Sequence, residues 1–278
     1  MRPIDVEHLG TERVICCWQV GELLIDPGPE SSVHNVIAAL GDRIPRAILL
    51  THIHLDHAGG TGALVRRWPD VQVYVHELGA PHLVDPSKLI ASATRLYGAD
   101  MERLWGEIVP LPAANVHPLR GGEAVEGFRV EHTPGHASHH VCYLHESSGW
   151  CFVGDMAGVR IAPARYVKAP TTPPEFDLDA WLGSVDAIES WRPVGLAMTH
   201  FGAAEDVDWQ LRAVREWLLR WTERARELGS ERAFADALAA EQAAALDPEM
   251  LLAYGQAAGA ELLYAGLERY WRKRAETV

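Results

Sequence analysis

The amino-acid sequence predicts an α/β protein that ends in a helical extension. Three observations lead there. Apolar runs of strand length alternate with segments of helical spacing between Val14 and Val75, the order expected when strands and helices form separate layers. The densest group of chemistry-bearing side chains directly follows one of those runs, and in such sheets ligands gather beyond the carboxyl ends of strands. After Gly202 the strand signals stop and apolar residues recur every three or four positions.

Val14 to Val20 and Leu23 to Asp26 are strand-like runs joined through Gly21-Glu22, which predicts a hairpin. Pro27-Gly28-Pro29 stops the second run, and Asp26 before it suits a turn. Val33 to Leu40 has helical spacing and closes at Gly41, after which Ala47-Ile48-Leu49-Leu50 reads as a buried strand. Gly62 to Trp68 predicts a second helix and Val71 to Val75 the next strand. The stretch from Pro86 to Pro110 carries Leu89-Ile90, Leu96-Tyr97, Met101 and Leu104-Trp105 at helical intervals interrupted by Gly98. It predicts two short helices, read as a surface insert with one buried face or as a lid whose Tyr97 or Trp105 lines a cleft.

Phe128 to His132 alternates as a strand, and His140 to His145 with Trp150 to Val153 forms a hairpin about Glu146-Ser147-Ser148-Gly149. Arg160 to Pro174 holds prolines and no period, so it is a loop, and Arg165, Tyr166 and Lys168 within it are candidates for substrate contact. Asp177 to Trp191 returns to a helix and Gly195 to Thr199 to a strand. Val207 to Leu228 is an amphipathic helix, Glu231 to Leu246 a second, and Asp247-Pro248 starts a third that runs towards Trp271. This tail is expected to pack on the core, to wall a pocket or to join two subunits as a homodimer.

The chemistry concentrates in Thr51-His52-Ile53-His54-Leu55-Asp56-His57-Ala58-Gly59-Gly60. Side chains at i and i+2 of an extended chain face the same side, so His52 and His54 can bind one ion. Asp56 and His57 are consecutive, face differently, and suit a second ion nearby. Gly59 and Gly60 permit the tight reversal needed between a strand end and a helix.

The complete His-x-His-x-Asp-His pattern after a buried strand resembles the metallo-β-lactamase superfamily of dinuclear metal hydrolases. The resemblance implies further ligands in a Pro-Gly-His turn, after a strand, and after a late strand. They are His136 in Thr133-Pro134-Gly135-His136, Asp155 in Phe152-Val153-Gly154-Asp155, and His200 in Ala197-Met198-Thr199-His200. It also implies an αββα sandwich of two mixed sheets with helices on the outer faces, a catalytic domain over 1–202 with the helical extension over 203–278, and a buried Asp26 supporting the ligand loop.

A catalytic zinc site presents about three protein ligands and leaves room for water, whose pKa it lowers towards about 7. On that basis His52, His54 and His136 make one site, Asp56, His57 and His200 a second, and Asp155 bridges them, the division the resemblance also implies. Two divalent ions are expected, Zn2+ first, with iron or manganese equally suited to imidazole and carboxylate donors. Asp56 and His57 are the catalytic candidates beside a metal-bridging hydroxide. A closed structural zinc would need four ligands rather than seven. His139 and His140 are placed to orient a ligand. His8, His34, His76, His82, His117, His132 and His145 show no ligand spacing and are read as surface or core residues.

A chain of 278 residues can bury about 75% of its unfolded surface without help from disulfides. Its 25 basic and 38 acidic residues give a net charge of -13, which repels polyphosphates and argues against nucleic acid as a partner. Cys16, Cys17, Cys142 and Cys151 form no Cys-x-x-Cys, Met1 to Glu7 is charged where a leader would be apolar, and no stretch reaches membrane-span length. A cytoplasmic protein acting on a small molecule, with no membrane partner, is the expectation.

The leading functional reading is hydrolysis of a thioester, ester or lactone, and the helical tail is similar to that of glyoxalase II, although its thiol-binding residues find no match. Persulfide dioxygenases, which resemble glyoxalase II and use one iron, are the alternative enzyme class. β-Lactamase activity ranks third, because the broad clinical enzymes place a Cys where Asp155 stands, and nuclease activity lower. A non-catalytic metal-binding scaffold is the alternative outside enzymology.

Overall fold

In a computed structural model, which describes residues 1–276, the chain forms two six-stranded sheets stacked face to face between layers of helix. The first sheet runs in chain order: β1 (Arg2–Asp5), β2 (Cys16–Val20), β3 (Leu23–Ile25), β4 (Ala47–Leu49), β5 (Gln72–His76) and β6 (Val116–Leu119). Its first three strands are antiparallel and the rest parallel. The second contains β7 (Ala124–Val125), β8 (Phe128–His132), β9 (Val141–His145), β10 (Trp150–Gly154), β11 (Gly195–Met198) and β12 (Gly202–Ala204), with only β10 and β11 parallel. Both sheets are mixed, as expected of the αββα sandwich.

The two-residue period of the strands explains the stacking. Leu23, Ile25, Ala47 and Leu49 point inward and meet Phe128, Val130, Tyr143 and Phe152 in one buried cluster between the sheets. Their neighbours Leu24, Ile48, Cys142, Cys151 and Val153 point outward and join the clusters under the helices. Strands covered on both faces have no polar side, which is why they read as unbroken apolar runs. All four cysteines are buried and unpaired with one another.

The helices are α1 (Val33–Leu40), α2 (Leu55–Ala58), α3 (Thr61–Arg67), α4 (Ala80–Val84), α5 (Ser87–Tyr97), α6 (Met101–Trp105), α7 (Leu178–Ser190), α8 (Val207–Leu228), α9 (Glu231–Ala245), α10 (Pro248–Ala257) and α11 (Ala260–Glu276). Ser230 caps α9 and Asp247 caps α10 through side-chain acceptors on the third following backbone N–H. The single third tail helix expected from the sequence is instead two, broken at Ala258-Gly259. Lys168 Nζ donates to the carbonyls of Tyr254 and Ala258 at 2.7 and 2.6 Å, which satisfies the end of α10 from outside and removes the need to continue it. Among the described residues no helix is long and apolar enough to cross a membrane.

Candidate metal centre

Strand β4 ends in buried Leu50 and Thr51, and the chain then turns into the single-turn helix α2, whose first N–H groups from His57 and Ala58 donate to the His54 carbonyl at 3.0 and 2.8 Å. His52 and His54 therefore leave the strand end together, while Asp56 and His57 leave α2. Gly135 has φ 135°, and a Cβ there would lie 2.3 Å from the Cα of Trp181, so the turn that delivers His136 lies flush on α7. Gly154 has φ 48°, and a Cβ would lie 2.5 Å from Thr51 Oγ1 and 2.6 Å from His140 Nε2, so the end of β10 carries Asp155 into contact with the β4 end.

All seven candidate ligands come together in space. His52, His54 and His136 form one group, Asp56, His57 and His200 a second, and Asp155 joins His52 and His57 in a third, each with its donor atoms within 4.8 Å. His136 Nε2 is 3.1 Å from one oxygen of Asp155, and His57 Nε2 is 3.2 Å from the other. His200 Nε2 is 3.3 Å from Asp56 and 3.4 Å from Asp155. Donors at about 2.05 Å around a tetrahedral cation stand roughly 3.3 Å from one another, so these separations suit a shared ion.

Hydrogen bonds at the far side of each ring decide which nitrogen faces inward. His57 Nδ1 donates to Asp26 at 2.9 Å, His136 Nδ1 to the Pro170 carbonyl at 2.8 Å, and His200 Nδ1 to the Val14 carbonyl at 2.7 Å. Thr51 Oγ1 donates to Asp26 at 2.6 Å and so accepts from His52 Nδ1 at 3.1 Å. In each case the proton sits outward and the Nε2 lone pair points into the cluster. His52 Nε2, His57 Nε2, His200 Nε2 and Asp155 Oδ1 are closed to solvent and make no hydrogen bond. Buried acceptors without donors are costly, and a cation is what this donor set fits.

The charges agree. Burial opposes a charge on His57, yet Asp155, Asp56 and Asp26 outweigh it and hold the ring well above its ordinary range. Burial would raise Asp155, but His57, His136 and His200 hold it well below the usual carboxylate range. Burial and neighbouring imidazoles push His52 far down, and His54 is pushed down to about 3, mainly by burial and then His136. His52 and His54 are thereby neutral and Asp155 ionised, the states in which they bind a metal, while on His57 and His200 the neighbouring carboxylates favour a positive charge that a cation would supply in place of a proton.

Residues 21–194 match the family model described as the Metallo-beta-lactamase superfamily. The chain belongs to this superfamily. That span takes in six of the seven clustered ligands and stops before His200. Among curated superfamily relatives, a hydroxyacylglutathione hydrolase of Legionella pneumophila is 29% identical over 135 residues, 47% of this chain and 41% of that protein. The match thus spans less than half the length of that relative. The metallo-beta-lactamase fold-containing protein ST1585 of Sulfurisphaera tokodaii is 28% identical over 72% of this chain and 76% of its own. The solved structure of ST1585 superposes with a TM-score of 0.64 at 24% identity, covering 77% of this chain and 84% of that one. The structure of TTHA1623 in a di-iron-bound form superposes with a TM-score of 0.58 at 28% identity, covering 77% of this chain and 98% of that one.

Around the superfamily ligands, the supporting candidates divide. Asp26 is fully buried and accepts from Thr51 N–H, Thr51 Oγ1, Thr199 Oγ1 and His57. His140 Nε2 accepts from the backbone N–H of Asp155 at 3.4 Å, so its Nδ1 carries the proton and donates to Thr133 Oγ1 at 2.9 Å. His139 accepts from the Ile53 N–H at 3.4 Å and stands 3.7 Å from Glu175.

The Arg160 to Pro174 loop does line the cavity at the cluster, through Pro170, Thr172, Pro173 and Pro174, but the three side chains expected to make the contacts are corrected. Lys168 is 1% exposed and turned into α10, the Tyr166 hydroxyl donates to Glu241, and Arg165 stacks 4.3 Å over Trp209, so none of the three lines the cavity at the cluster. Apolar contacts with the tail draw this loop away from solvent, and periodicity carries no sign of that. The cavity, about 500 Å3, is also walled by Tyr97 and Trp105 of the 86–110 stretch and by the turn from Gln256 to Gly259. Both readings of that stretch describe it in part: it lies at the surface with Ala93 and Trp105 buried, and its inner face, with Tyr97 and Trp105, lines the cleft. His82 and Glu175 also reach the cavity without any signal in the sequence; His8, passed over as ordinary, is buried and stacked on Trp105 at 5.6 Å.

Proposed function

We propose that this protein is a dinuclear metal-dependent hydrolase of thioesters, esters or lactones of small carboxylic acids. The observation that carries the proposal is that the ligand cluster opens onto a cavity: His54, Asp56, His136, Asp155 and His200 all line it. A structural metal site is closed on every side, whereas a catalytic one keeps an approach for reactants. The His52, His54 and His136 group would hold one cation, the Asp56, His57 and His200 group another, with Asp155 reaching both. Bound there, the pair of cations supplies Lewis acidity and lowers the pKa of coordinated water.

The protein's own contribution is orientation and polarity. Asp26, Pro170 and Val14 fix the rings of His57, His136 and His200 so that lone pairs face the cavity floor. Asp56, whose side chain is 23% exposed, is the ligand carboxylate most open to an arriving substrate. It is placed to hold a water at the floor and to take its proton. The hydroxyacylglutathione hydrolase names among relatives support an acyl-transfer reading. Metal analysis of protein purified without added metal, followed by a thioester, ester and lactone panel, tests it; a fully metal-loaded protein inert on the whole panel refutes it.

The di-iron-bound form of TTHA1623 supports iron as the metal of this cluster, and the second reading is a persulfide dioxygenase, which would use one iron. Iron on elemental analysis, with oxygen uptake that depends on persulfide, would select it over hydrolysis.

A further inference from the structure

The cavity above the ligand cluster has walls of uneven chemistry. Leu55 of α2, Leu89, Ala93 and Tyr97 of α5, Trp105 of α6 and Leu262 of α11 line it. Leu89, Ala93 and Tyr97 step by four, so one face of α5 looks into the cavity as a continuous apolar stripe. Leu55, Ala93 and Trp105 are buried and form a cluster of their own, separate from the two main cores, with Leu89, Tyr97 and Leu104 packed against it. Tyr97 and Trp105 meet edge to face at 5.0 Å, and Trp105 is backed by His8, so the wall is braced from both sides.

Formal charge is scarce on these walls. Apart from the ligand carboxylates Asp56 and Asp155, the charged residues lining the cavity are Lys88, which is exposed, and Glu175, and no arginine is among them. A peptide thiol such as glutathione carries two carboxylates and one ammonium. Polar side chains such as His82, Ser92, Ser138 and Gln256 also reach the cavity, but Lys88 is the one lysine or arginine lining it to meet two carboxylates, and desolvating the second against leucine and tryptophan is costly. A hydrocarbon chain loses nothing there and gains with each methylene.

We propose that the cavity takes the hydrocarbon chain of an apolar, medium-length carboxylic acid derivative, laid along α5 between α6 and the tail turn, with its carboxyl carbon at the ligand cluster. The proposal names the substrate class for the hydrolase reading and rests on it for turnover, but not for binding.

The two are separable by experiment. Calorimetric titration of butanamide, hexanamide and octanamide into the metal-loaded protein reads the cavity without any reaction. Affinity is expected to rise by up to about fourfold per methylene, and at least tenfold across the series. Ala93→Trp, which fills the space beside the stripe, is expected to flatten the series so that octanamide binds no tighter than butanamide. If circular dichroism shows that variant unfolded, Ser92→Trp at the more open edge of α5 takes its place. Affinity independent of chain length, or a gradient that the folded tryptophan variant leaves intact, overturns the proposal. In parallel, acetyl, butanoyl and octanoyl thioesters of N-acetylcysteamine are compared with lactoylglutathione. Octanoyl turnover at least tenfold above acetyl in kcat/KM supports the proposal, and faster cleavage of lactoylglutathione than of the octanoyl thioester overturns it. A binding gradient with no turnover of any thioester, ester or lactone supports the cavity assignment and refutes the hydrolase reading.

Discussion

Asp26 and His57 stand 2.9 Å apart with both side chains closed to solvent, and the same Asp26 oxygen also receives the hydroxyls of Thr51 and Thr199. One carboxylate therefore ties together the ends of β3, β4 and β11 and sets the ring of a clustered histidine.

Asp26→Ala leaves four donors without an acceptor, and breaking a buried charged pair of this kind costs about 3 to 5 kcal/mol, to be read from urea unfolding. Asp26→Asn is the milder change. Asp26 has φ 49°, a conformation asparagine accepts, and the amide keeps one oxygen for Thr51. Its NH2 cannot accept from His57, so the ring loses its anchor and affinity for the second metal is expected to fall about 10- to 100-fold. Competition with a chelator measures that loss. Asp26→Asn protein with unchanged metal affinity would remove Asp26 from the supporting role.

Asp56→Ala separates chemistry from folding. Asp56 is the more open of the two ligand carboxylates and lies in a one-turn helix rather than in the sandwich core. The variant is expected to keep its melting temperature without metal, to bind about one equivalent of divalent metal in place of two, and to lose at least about 100-fold in kcat. Mass spectrometry under native conditions gives the stoichiometry. Retention of two ions and of turnover would contradict the ligand assignment.

Gly266→Ala tests the contact between the tail and the Arg160 to Pro174 loop. A Cβ on Gly266 would fall 1.8 Å from the Thr171 carbonyl oxygen, so α11 or the loop must shift. Overpacking of this kind costs about 1 to 3 kcal/mol. Thr171 follows Pro170, whose carbonyl orients His136, and so metal affinity should weaken along with stability. Destabilisation without any change in metal affinity would show that the loop absorbs the displacement before it reaches Pro170.

Lys168 supplies the pH prediction. Burial pushes its ammonium from 10.5 down to about 7. Between those values the unfolded chain holds a proton that the folded chain has released, so unfolding takes up protons and this residue's contribution to stability rises with pH. Below 7 both states are protonated and the contribution is flat. Comparing wild type with Lys168→Met cancels other titrations: the wild type should gain on the variant between pH 7 and pH 10, by up to about 1.4 kcal/mol per unit. Urea midpoints at three pH values check the sign, and a difference that shrinks with rising pH would mean that the two carbonyls keep the ammonium charged.

Much of the sandwich was legible because its strands and helices announce themselves locally. Val33 to Leu40 was delimited by its own spacing and Gly41, and β8 by its alternation. The seven ligands were readable because their types and the turns around them are chemically narrow. What escaped was decided by contacts remote in sequence. Strand β1 is an edge paired only to β2, and β6 contains Pro118, so neither has the apolar character of a central strand. Lys168 looked like a loop cation because nothing near it in sequence shows that helix ends more than 80 residues later supply its partners. His82 and Glu175 entered the cavity in the same way, by folding of segments whose spacing is unremarkable.

The stripe along α5 and the turn between α10 and α11 reach the cavity from segments that contribute no clustered ligand. Under the proposed assignment, most of the apolar wall and the ion-binding floor come from separate stretches of the chain, Leu55 of α2 being the exception. Mutational drift in either wall can redirect the choice of reactant while the ion-binding floor is left alone, and libraries confined to those two segments are the economical route to new specificities on this scaffold.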